Sequence, residues 1–288
     1  EGPVTAPVTA PGPNSSPYAL GHDEQELRRL QDQSVFFDPL TRQFLREIGI
    51  GEGMRVLDIG CGAGDVSMLL TEFVGERGEV LGVDRGAPAL QLAQARARAR
   101  GLGQVRFHQG DEHTAAALSA QRPFDAVIGR LVLVHQHKPG DFVRTLAQAV
   151  RPGGVLAFQD SDLTLFMHTM PQLPLLAEVR RWFIAAHELI YATWNLSLQT
   201  PAIFRSAGLP PPQQYLYCPV LGDGLHLLCQ SVAAVIRSLL PVLLGGGIVD
   251  AAEVDIDTLA DRMLAALNEH QSAVQSVAMA NCFLRLPG

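Results

Sequence analysis

The residues best suited to chemistry lie in one glycine-rich stretch, V-L-D-I-G-C-G-A-G-D, at positions 56–65. An apolar run leads into Gly60, Gly62 and Gly64, and a segment with helical periodicity follows. Glycine permits positive φ angles and lets a ligand approach the main chain closely. A helix that begins there offers unpaired N–H groups. The stretch therefore predicts a ligand-binding turn between a strand and a helix, at the carboxyl end of the strand.

Two acidic residues narrow the class of ligand. Asp58 lies two residues before the first glycine, where dinucleotide-binding proteins usually have an apolar residue because a carboxylate repels pyrophosphate. The glycine spacing is G-x-G-x-G, whereas the dinucleotide motif is G-x-G-x-x-G. Asp84 ends the next predicted strand, where an acid can accept hydrogen bonds from both hydroxyls of a ribose. Two roles for Asp58 stay open. Its carboxylate is suited to contact with a ligand that carries an ammonium and a sulfonium, or it orients the turn itself.

Short apolar runs alternate with segments of helical periodicity, and this alternation predicts the strands and helices that position these residues. We predict five strands, at about 54–59, 79–84, 104–109, 124–130 and 153–159. We predict helices between them, at about 64–74, 86–100, 112–120 and 140–150. Apolar strands that alternate with helices indicate a parallel sheet covered on both faces. The predicted fold class is α/β, with a Rossmann-like, doubly wound, mostly parallel sheet.

Four segments make up the predicted domain organisation. They are a proline-rich flexible arm at 1–17, an N-terminal helical cap at 18–50, a ligand-binding core at 51–160, and a helical lid with the last strands at 161–288. Asp38-Pro39 is expected to divide the cap into two helices. In the last segment we predict helices at 173–194, 199–207, 225–244 and 257–276, and strands at 213–220 and 280–287. The C-terminal helical insertion would close over the ligand.

Composition excludes several other classes of protein. The net charge is −7 and the chain has no basic run, which disfavours binding to a nucleic-acid backbone. Lys138 is the only lysine, so there is no phosphate-binding Gly-Lys-Ser/Thr loop and no Tyr-x-x-x-Lys pair. The four cysteines have no metal-ligand spacing, which fits a reducing compartment. No uninterrupted apolar run reaches the ~20 residues of a membrane span, so no membrane segment is expected.

Five motifs together resemble the class I S-adenosylmethionine-dependent methyltransferases. These are D-I-G-C-G-A-G, the acid of G-V-D, Q-G-D-E after the third strand, F-D-A-V-I-G-R-L-V-L-V-H around the fourth and R-P-G-G-V-L-A-F before the fifth. Their order and spacing match the family over roughly residues 50–160. The whole chain resembles bacterial small-molecule methyltransferases that carry an N-terminal helical cap.

The resemblance implies S-adenosyl-L-methionine as the cofactor and a role for particular residues. The turn from Gly60 to Gly64 would cradle its methionine part and ribose, and Asp84 would bind the ribose hydroxyls. Asp111 would accept from the adenine amino group. The further residues assigned to the cofactor are Tyr18, Gln33, Asp58, Cys61, Arg85, Glu112 and Arg130. Of these, Glu112 would donate its main-chain N–H to the adenine ring, Arg130 would offer its carbonyl to the methionine ammonium, and Tyr18 and Gln33 would close over the cofactor.

Aromatic and imidazole side chains outline a predicted acceptor pocket. His135 follows the fourth strand, where the family's pocket opens, and is the candidate general base. His187 and Tyr191 are four residues apart and share a helix face, and with Trp194 they form either a packed helix or the wall of the pocket. His135 and His137 could share a strand face, but no third ligand is evident, and we predict no metal.

The function predicted from the sequence is methyl transfer to an oxygen, or to a nitrogen, of a small and largely apolar metabolite. Secondary metabolism in the cytoplasm, a monomer or homodimer, and no nucleic-acid or membrane partner complete this hypothesis. A repurposed S-adenosylmethionine-binding protein without methylating activity, such as a cyclase, remains an alternative. A nicotinamide-dependent oxidoreductase is a second alternative. A nucleic-acid methyltransferase is disfavoured, because G-R-L-V stands where base-modifying members carry a proline motif.

Overall fold

A seven-stranded sheet organises the molecule. The computed structural model describes residues 37–190 and 194–288. Within them the strands lie in the order β3-β2-β1-β4-β5-β9-β6, and β9 runs antiparallel to both of its neighbours while the other pairs are parallel. The strands are β1 (Arg55–Ile59), β2 (Glu79–Asp84), β3 (Val105–Gln109), β4 (Phe124–Arg130), β5 (Val150–Asp162), β6 (Gln213–Tyr217) and β9 (Ala278–Arg285). This confirms the predicted Rossmann-like α/β fold.

Helices fill the connections between these strands and form most of the C-terminal part. The first described helix, α1, occupies 37–47. The others are α2 (Asp65–Val74), α3 (Ala87–Ala99), α4 (Glu112–Ser119), α5 (Pro139–Ala147), α6 (Pro174–Ile190), α7 (Leu196–Ser206), α8 (Leu225–Gly245), α9 (Ala251–Val254) and α10 (Leu259–Glu269). A 3₁₀ turn, η1, covers Leu133–His135, and a separate two-stranded sheet pairs β7 (Val220–Leu221) with β8 (Val274–Gln275).

Strand β1 shows why the sheet is buried on both faces. Its sequence, RVLDI, is buried at every position. Successive side chains point to opposite faces of a strand. Val56 accordingly belongs to the apolar cluster that includes α1 and α2, whereas Leu57 and Ile59 belong to the cluster that includes α5 and α7. Two apolar layers therefore hold the strand in register, with the turn after Ile59 at the carboxyl edge.

A third apolar cluster lies in the C-terminal part, where α8 packs against α6 and α10. Helix α8 is the one helix among the described residues that is long and apolar enough to cross a membrane, with a mean hydropathy of 1.9 in its most apolar window. Gln230, Arg237 and Pro241 interrupt its apolar run, and for this reason the sequence favours a buried lid or dimer helix there over membrane contact. Its inner face, which includes Ile236 and Leu243, is buried against the neighbouring helices.

Several predicted boundaries were wrong. The helix expected at 257–276 ends at Glu269, and Val274–Gln275 instead forms β8. Val274 pairs with β7 and bridges to Thr169, and these distant partners were invisible in the local apolar pattern. The helix expected at 173–194 ends at Ile190 within the described chain, and Trp194 lies outside it.

The cap and the fifth strand also differ from the expectation. The described helix 37–47 includes Asp38 and Pro39, so the break expected there does not separate these two residues from the rest of α1. The other predicted cap helix and the arm at 1–17 lie outside the described residues. Strand β5 is longer than predicted because its far end pairs with β9 as far as Asp162.

Candidate functional site

The glycine turn joins β1 to α2 at the carboxyl edge of the sheet. Gly60, Gly62 and Gly64 have φ angles of 67°, 51° and 84°, a region that favours glycine. A side chain at Gly60 would overlap Val132, whereas one at Gly62 would meet no atom within 4 Å. The turn is also tied to β2, since the Gly60 N–H donates to the carbonyl of Val83 at 2.7 Å. The Gly62 main chain thus faces open space, which a ligand could occupy.

Asp84 fixes the conformation of this turn. One carboxylate oxygen accepts from the Gly62 N–H at 2.8 Å, and the other accepts from the Gly86 N–H at 2.7 Å, just before α3. Each carboxylate oxygen can accept more than one hydrogen bond, and the side chain is only partly buried. Asp84 can therefore bind further hydroxyl donors without giving up the turn.

Asp111 caps helix α4. Its Oδ1 accepts from the main-chain N–H groups of His113 and Thr114, both at 3.1 Å, and from the Thr114 hydroxyl at 3.2 Å. Burial opposes ionisation of Asp111, but these hydrogen bonds outweigh it and lower the pKa of the carboxyl. All the hydrogen bonds that the described residues give this carboxylate reach Oδ1, which leaves Oδ2 for another donor. Glu112 forms an ion pair with the exposed Arg85 at 3.0 Å.

Asp58 lies beneath the turn and is only 1% exposed. The Ser67 hydroxyl of α2 donates to it at 2.5 Å. Burial raises the pKa of Asp58 to about 7, against the opposing effects of Ser67 and of the Arg130 charge. This geometry supports the interpretation that Asp58 orients the turn. Cys61 is buried as well, and burial holds the pKa of its thiol well above the usual value, which disfavours a nucleophilic thiolate.

Arg130, the last residue of β4, connects the cap to the sheet. Its guanidinium donates to Asp38 at 3.1 Å and to the Thr41 hydroxyl at 3.2 Å, both in α1. Thr41 also donates to Gln159 of β5 at 2.6 Å, and the Gln159 amide donates to Asn281 of β9 at 2.7 Å. This buried polar network positions α1 over the carboxyl edge.

A strained turn follows Arg130. Leu131 has a φ angle of 56°, which is unusual for a branched side chain and marks stored strain at the edge of the site. Directly after it, η1 is anchored by Asp160 of β5, which accepts from the main-chain N–H groups of Leu133 and Val134 at 3.4 and 3.3 Å. Asp160 is fully buried, and burial raises its pKa to about 7.

Asp160 is not among the site residues predicted from the sequence. The side chain lies within the strand end of Q-D-S-D, and the only available signal was an acid inside an apolar strand. Because its partners come from a different element, that signal could not show what the acid holds.

His135 ends η1 and lies close enough to His187 of α6 for their charges to interact. Burial, with a smaller effect of His187, lowers the pKa of His135 to about 4. The Nδ1 of His187 lies 2.8 Å from the carbonyl of Phe183, and burial lowers its pKa too. Both imidazoles are therefore neutral near pH 7.

Of the two remaining predicted pocket residues, Trp194 lies among the described residues. It donates its indole N–H to Glu188 at 3.0 Å and packs against the C-terminal apolar cluster. Tyr18, Gln33 and Tyr191 lie outside the described residues. Among the described residues there is no group of three side chains suited to a metal ion.

Comparison with known proteins places the chain in a family. Residues 50–207 match the family described as "Methyltransferase domain". A ubiquinone biosynthesis O-methyltransferase of Leptothrix cholodnii is 33% identical over 135 residues, which cover 46% of this chain and 53% of that protein. Its counterpart in Nitrosococcus oceani is 30% identical over 158 residues, covering 52% of this chain and 64% of that protein. The chain thus spans about half to two thirds of these curated relatives.

A solved structure agrees with the fold. A candidate sarcosine dimethylglycine methyltransferase from Galdieria sulphuraria superimposes with a TM-score of 0.51, covering 93% of this chain and 92% of that one, at 12% identity. The family match covers more than half of the chain and includes every strand from β1 to β5. The chain therefore belongs to the class I S-adenosylmethionine-dependent methyltransferase family.

Proposed function

We propose that this protein transfers a methyl group from S-adenosylmethionine to an oxygen atom of a small molecule. Family membership supports methyl transfer, and the relatives named as O-methyltransferases support oxygen as the acceptor atom. The observation that carries the proposal is the partly exposed Asp84 carboxylate, held by the amide of Gly62 in the open glycine turn and by the amide of Gly86 before α3.

The residues at this edge fit the chemistry of the cofactor. Asp84 supplies two oxygens for the two ribose hydroxyls, and Gly62 leaves room above the turn for the ribose and methionine parts. Asp111 keeps Oδ2 for an amino donor such as that of adenine. When bound, S-adenosylmethionine supplies a methyl group already activated by a cationic sulfur.

The protein's main contribution would be alignment and the exclusion of water. Holding two reactants in line can lower a barrier by ~7–11 kcal/mol. Helix α1, docked through Arg130, would close the site from one side. Helix α6, whose His187 lies within electrostatic range of His135, would close it from another. Asp160 fixes η1 and therefore the position of His135.

A hydroxyl acceptor must also lose a proton. His135 is the proposed proton acceptor, because burial keeps its imidazole neutral near pH 7. A neutral imidazole has one ring nitrogen with a lone pair. His187 is also neutral near pH 7, because burial lowers its pKa.

The finer parts of the hypothesis concern the acceptor and its setting. We infer a largely apolar metabolite of secondary metabolism, methylated in the cytoplasm by a monomer or homodimer. The stacking of Phe183 on the His187 ring supports an apolar acceptor. The net charge of −7 argues against a nucleic-acid partner. We propose no membrane partner, because Gln230, Arg237 and Pro241 interrupt the apolar run of α8.

Calorimetry with S-adenosylhomocysteine, the demethylated product, tests the cofactor site. We expect binding by the wild-type protein and strongly weakened binding by Asp84→Ala. Asp125→Ala is the matched control, because Asp125 lies at the amino end of β4 and accepts from Arg55 and Arg151. Stabilisation by NAD(H) with no response to S-adenosylhomocysteine would favour the oxidoreductase instead.

Turnover tests the reaction class. S-adenosylmethionine and a pool of phenols and alcohols are incubated with the protein, and S-adenosylhomocysteine is quantified together with the methylated product. We expect S-adenosylhomocysteine and the methylated product to form in equal amounts. Cofactor binding without any methylated product across the pool would support the repurposed, non-methylating alternative.

A further inference from the structure

Arg180 differs from the other arginine beside it. Arg181 pairs with Glu178 at 2.7 Å and reaches Glu253 at 3.5 Å. Arg180 has no carboxylate within ion-pairing distance among the described residues, and its Nη2 donates only to the main-chain carbonyl of Thr164, at 3.0 Å. It is nevertheless partly buried. A partly buried guanidinium without a counter-charge is costly unless something else compensates it.

Two buried donors at this place also lack partners. The Nε of Arg180 and the hydroxyl of Thr164 are shielded from solvent and make no hydrogen bond. Leaving a buried polar group unpaired costs about 1–3 kcal/mol. Both groups can donate, so an acceptor with two oxygens would satisfy them together. A carboxylate has this geometry, and the guanidinium fork binds carboxylates with two parallel hydrogen bonds.

The position of Arg180 relates it to the acceptor pocket. Arg180 and His187 are seven residues apart on α6, nearly two full turns, so they lie on the same flank, about 10 Å apart along the axis. His187 lies within electrostatic range of His135, the last residue of η1. Thr164 lies two residues after the end of β5, and its N–H donates to Asp162 at 2.9 Å. Arg180 therefore lies on the same flank of α6 as His187, two turns away.

We propose that Arg180 and Thr164 bind a carboxylate of the methyl acceptor, so that the substrate is an apolar molecule with an acidic group at one end and a hydroxyl at the other. This inference rests on the proposed function and specifies its substrate class. Arg180 would set specificity and orient the hydroxyl toward His135, since a contact at one end of a rigid molecule fixes the other.

The experiment compares 4-hydroxycinnamate with its uncharged amide, 4-hydroxycinnamamide, in the presence of saturating S-adenosylhomocysteine. Binding is followed by tryptophan fluorescence, since Trp182 lies two residues from Arg180 and only two tryptophans are present. We expect the acid to bind at least tenfold more tightly than the amide. Arg180→Met should abolish that preference, and Thr164→Val should reduce it, whereas the charge-matched control Arg181→Met should retain it.

Three results would overturn the inference: equal affinity for acid and amide, no binding of the acid at millimolar concentration, or an equal loss in the Arg181→Met control. Circular dichroism and S-adenosylhomocysteine affinity show whether Arg180→Met is folded. If it is not, Arg180→Lys provides the second test, because lysine keeps the charge but lacks the fork and should lose part of the preference. If the wild-type protein shows no preference for the acid but binds S-adenosylhomocysteine normally, the inference fails and the proposed function stands. If the wild-type protein does not bind S-adenosylhomocysteine, the proposed function itself is refuted.

Discussion

Three glycine-to-alanine substitutions, at Gly60, Gly62 and Gly101, separate the effects of backbone strain, steric overlap and lost ligand binding. Gly101, just after α3, has φ 67° and open space where a side chain would lie, so Gly101→Ala measures backbone strain alone. A left-handed conformation costs a non-glycine residue about 1–2 kcal/mol. Gly60 has the same φ, but its side chain would overlap Val132. Overpacking adds about 1–3 kcal/mol, which gives a total of about 2–5 kcal/mol for Gly60→Ala.

Gly62→Ala should cost about as much stability as Gly101→Ala, because φ is 51° and no protein atom lies within 4 Å. Its methyl group would instead enter the space proposed for the cofactor. Urea unfolding gives the free energies, and calorimetry gives the affinity for S-adenosylhomocysteine.

We expect Gly62→Ala to weaken binding by more than tenfold, or about 1.4 kcal/mol, while Gly101→Ala binds normally. Val132→Ala should relieve part of the cost of Gly60→Ala in a double-mutant cycle. Normal binding by Gly62→Ala, or equal destabilisation by Gly60→Ala and Gly101→Ala, would refute the reasoning.

Three further changes test the supports of the site. Arg130→Met should lower the free energy of unfolding by about 1–3 kcal/mol in urea, since it removes charged hydrogen bonds to α1; an unchanged urea midpoint would contradict this. Asp111→Ala should lose about 1 kcal/mol of cap stability and also weaken S-adenosylhomocysteine binding, measured by urea unfolding and calorimetry; normal affinity would show that Asp111 only caps α4. Asp160→Asn tests the raised pKa of Asp160, which is about 7 in the folded protein. Between this value and the pKa of about 4 in the unfolded chain, the folded state holds a proton that the unfolded state releases. Wild-type stability should therefore fall relative to Asp160→Asn as pH rises from 5 to 8, and a constant difference in urea would exclude this linkage.

The turn and the two acids at neighbouring strand ends could be predicted because each depends on local sequence. The glycine spacing, Asp58 and Asp84 lie at fixed offsets from apolar strands, and these offsets place them at one edge of any parallel sheet. The cap formed by Asp111 is also local, since its partners are two and three residues away. The roles of these residues toward the cofactor stay predictions.

Local sequence was enough to predict the alternating order of strands and helices and the position of the ligand-binding turn, because periodicity and glycine conformation act over a few residues. Which distant groups meet depends on how the elements pack. Arg130 reaches α1, Asp160 anchors η1, and Arg180 lies without a carboxylate partner beside Thr164 among the described residues. Each of these depends on the packing of elements tens of residues apart, where burial and unpaired donors arise from three-dimensional proximity that no local pattern encodes.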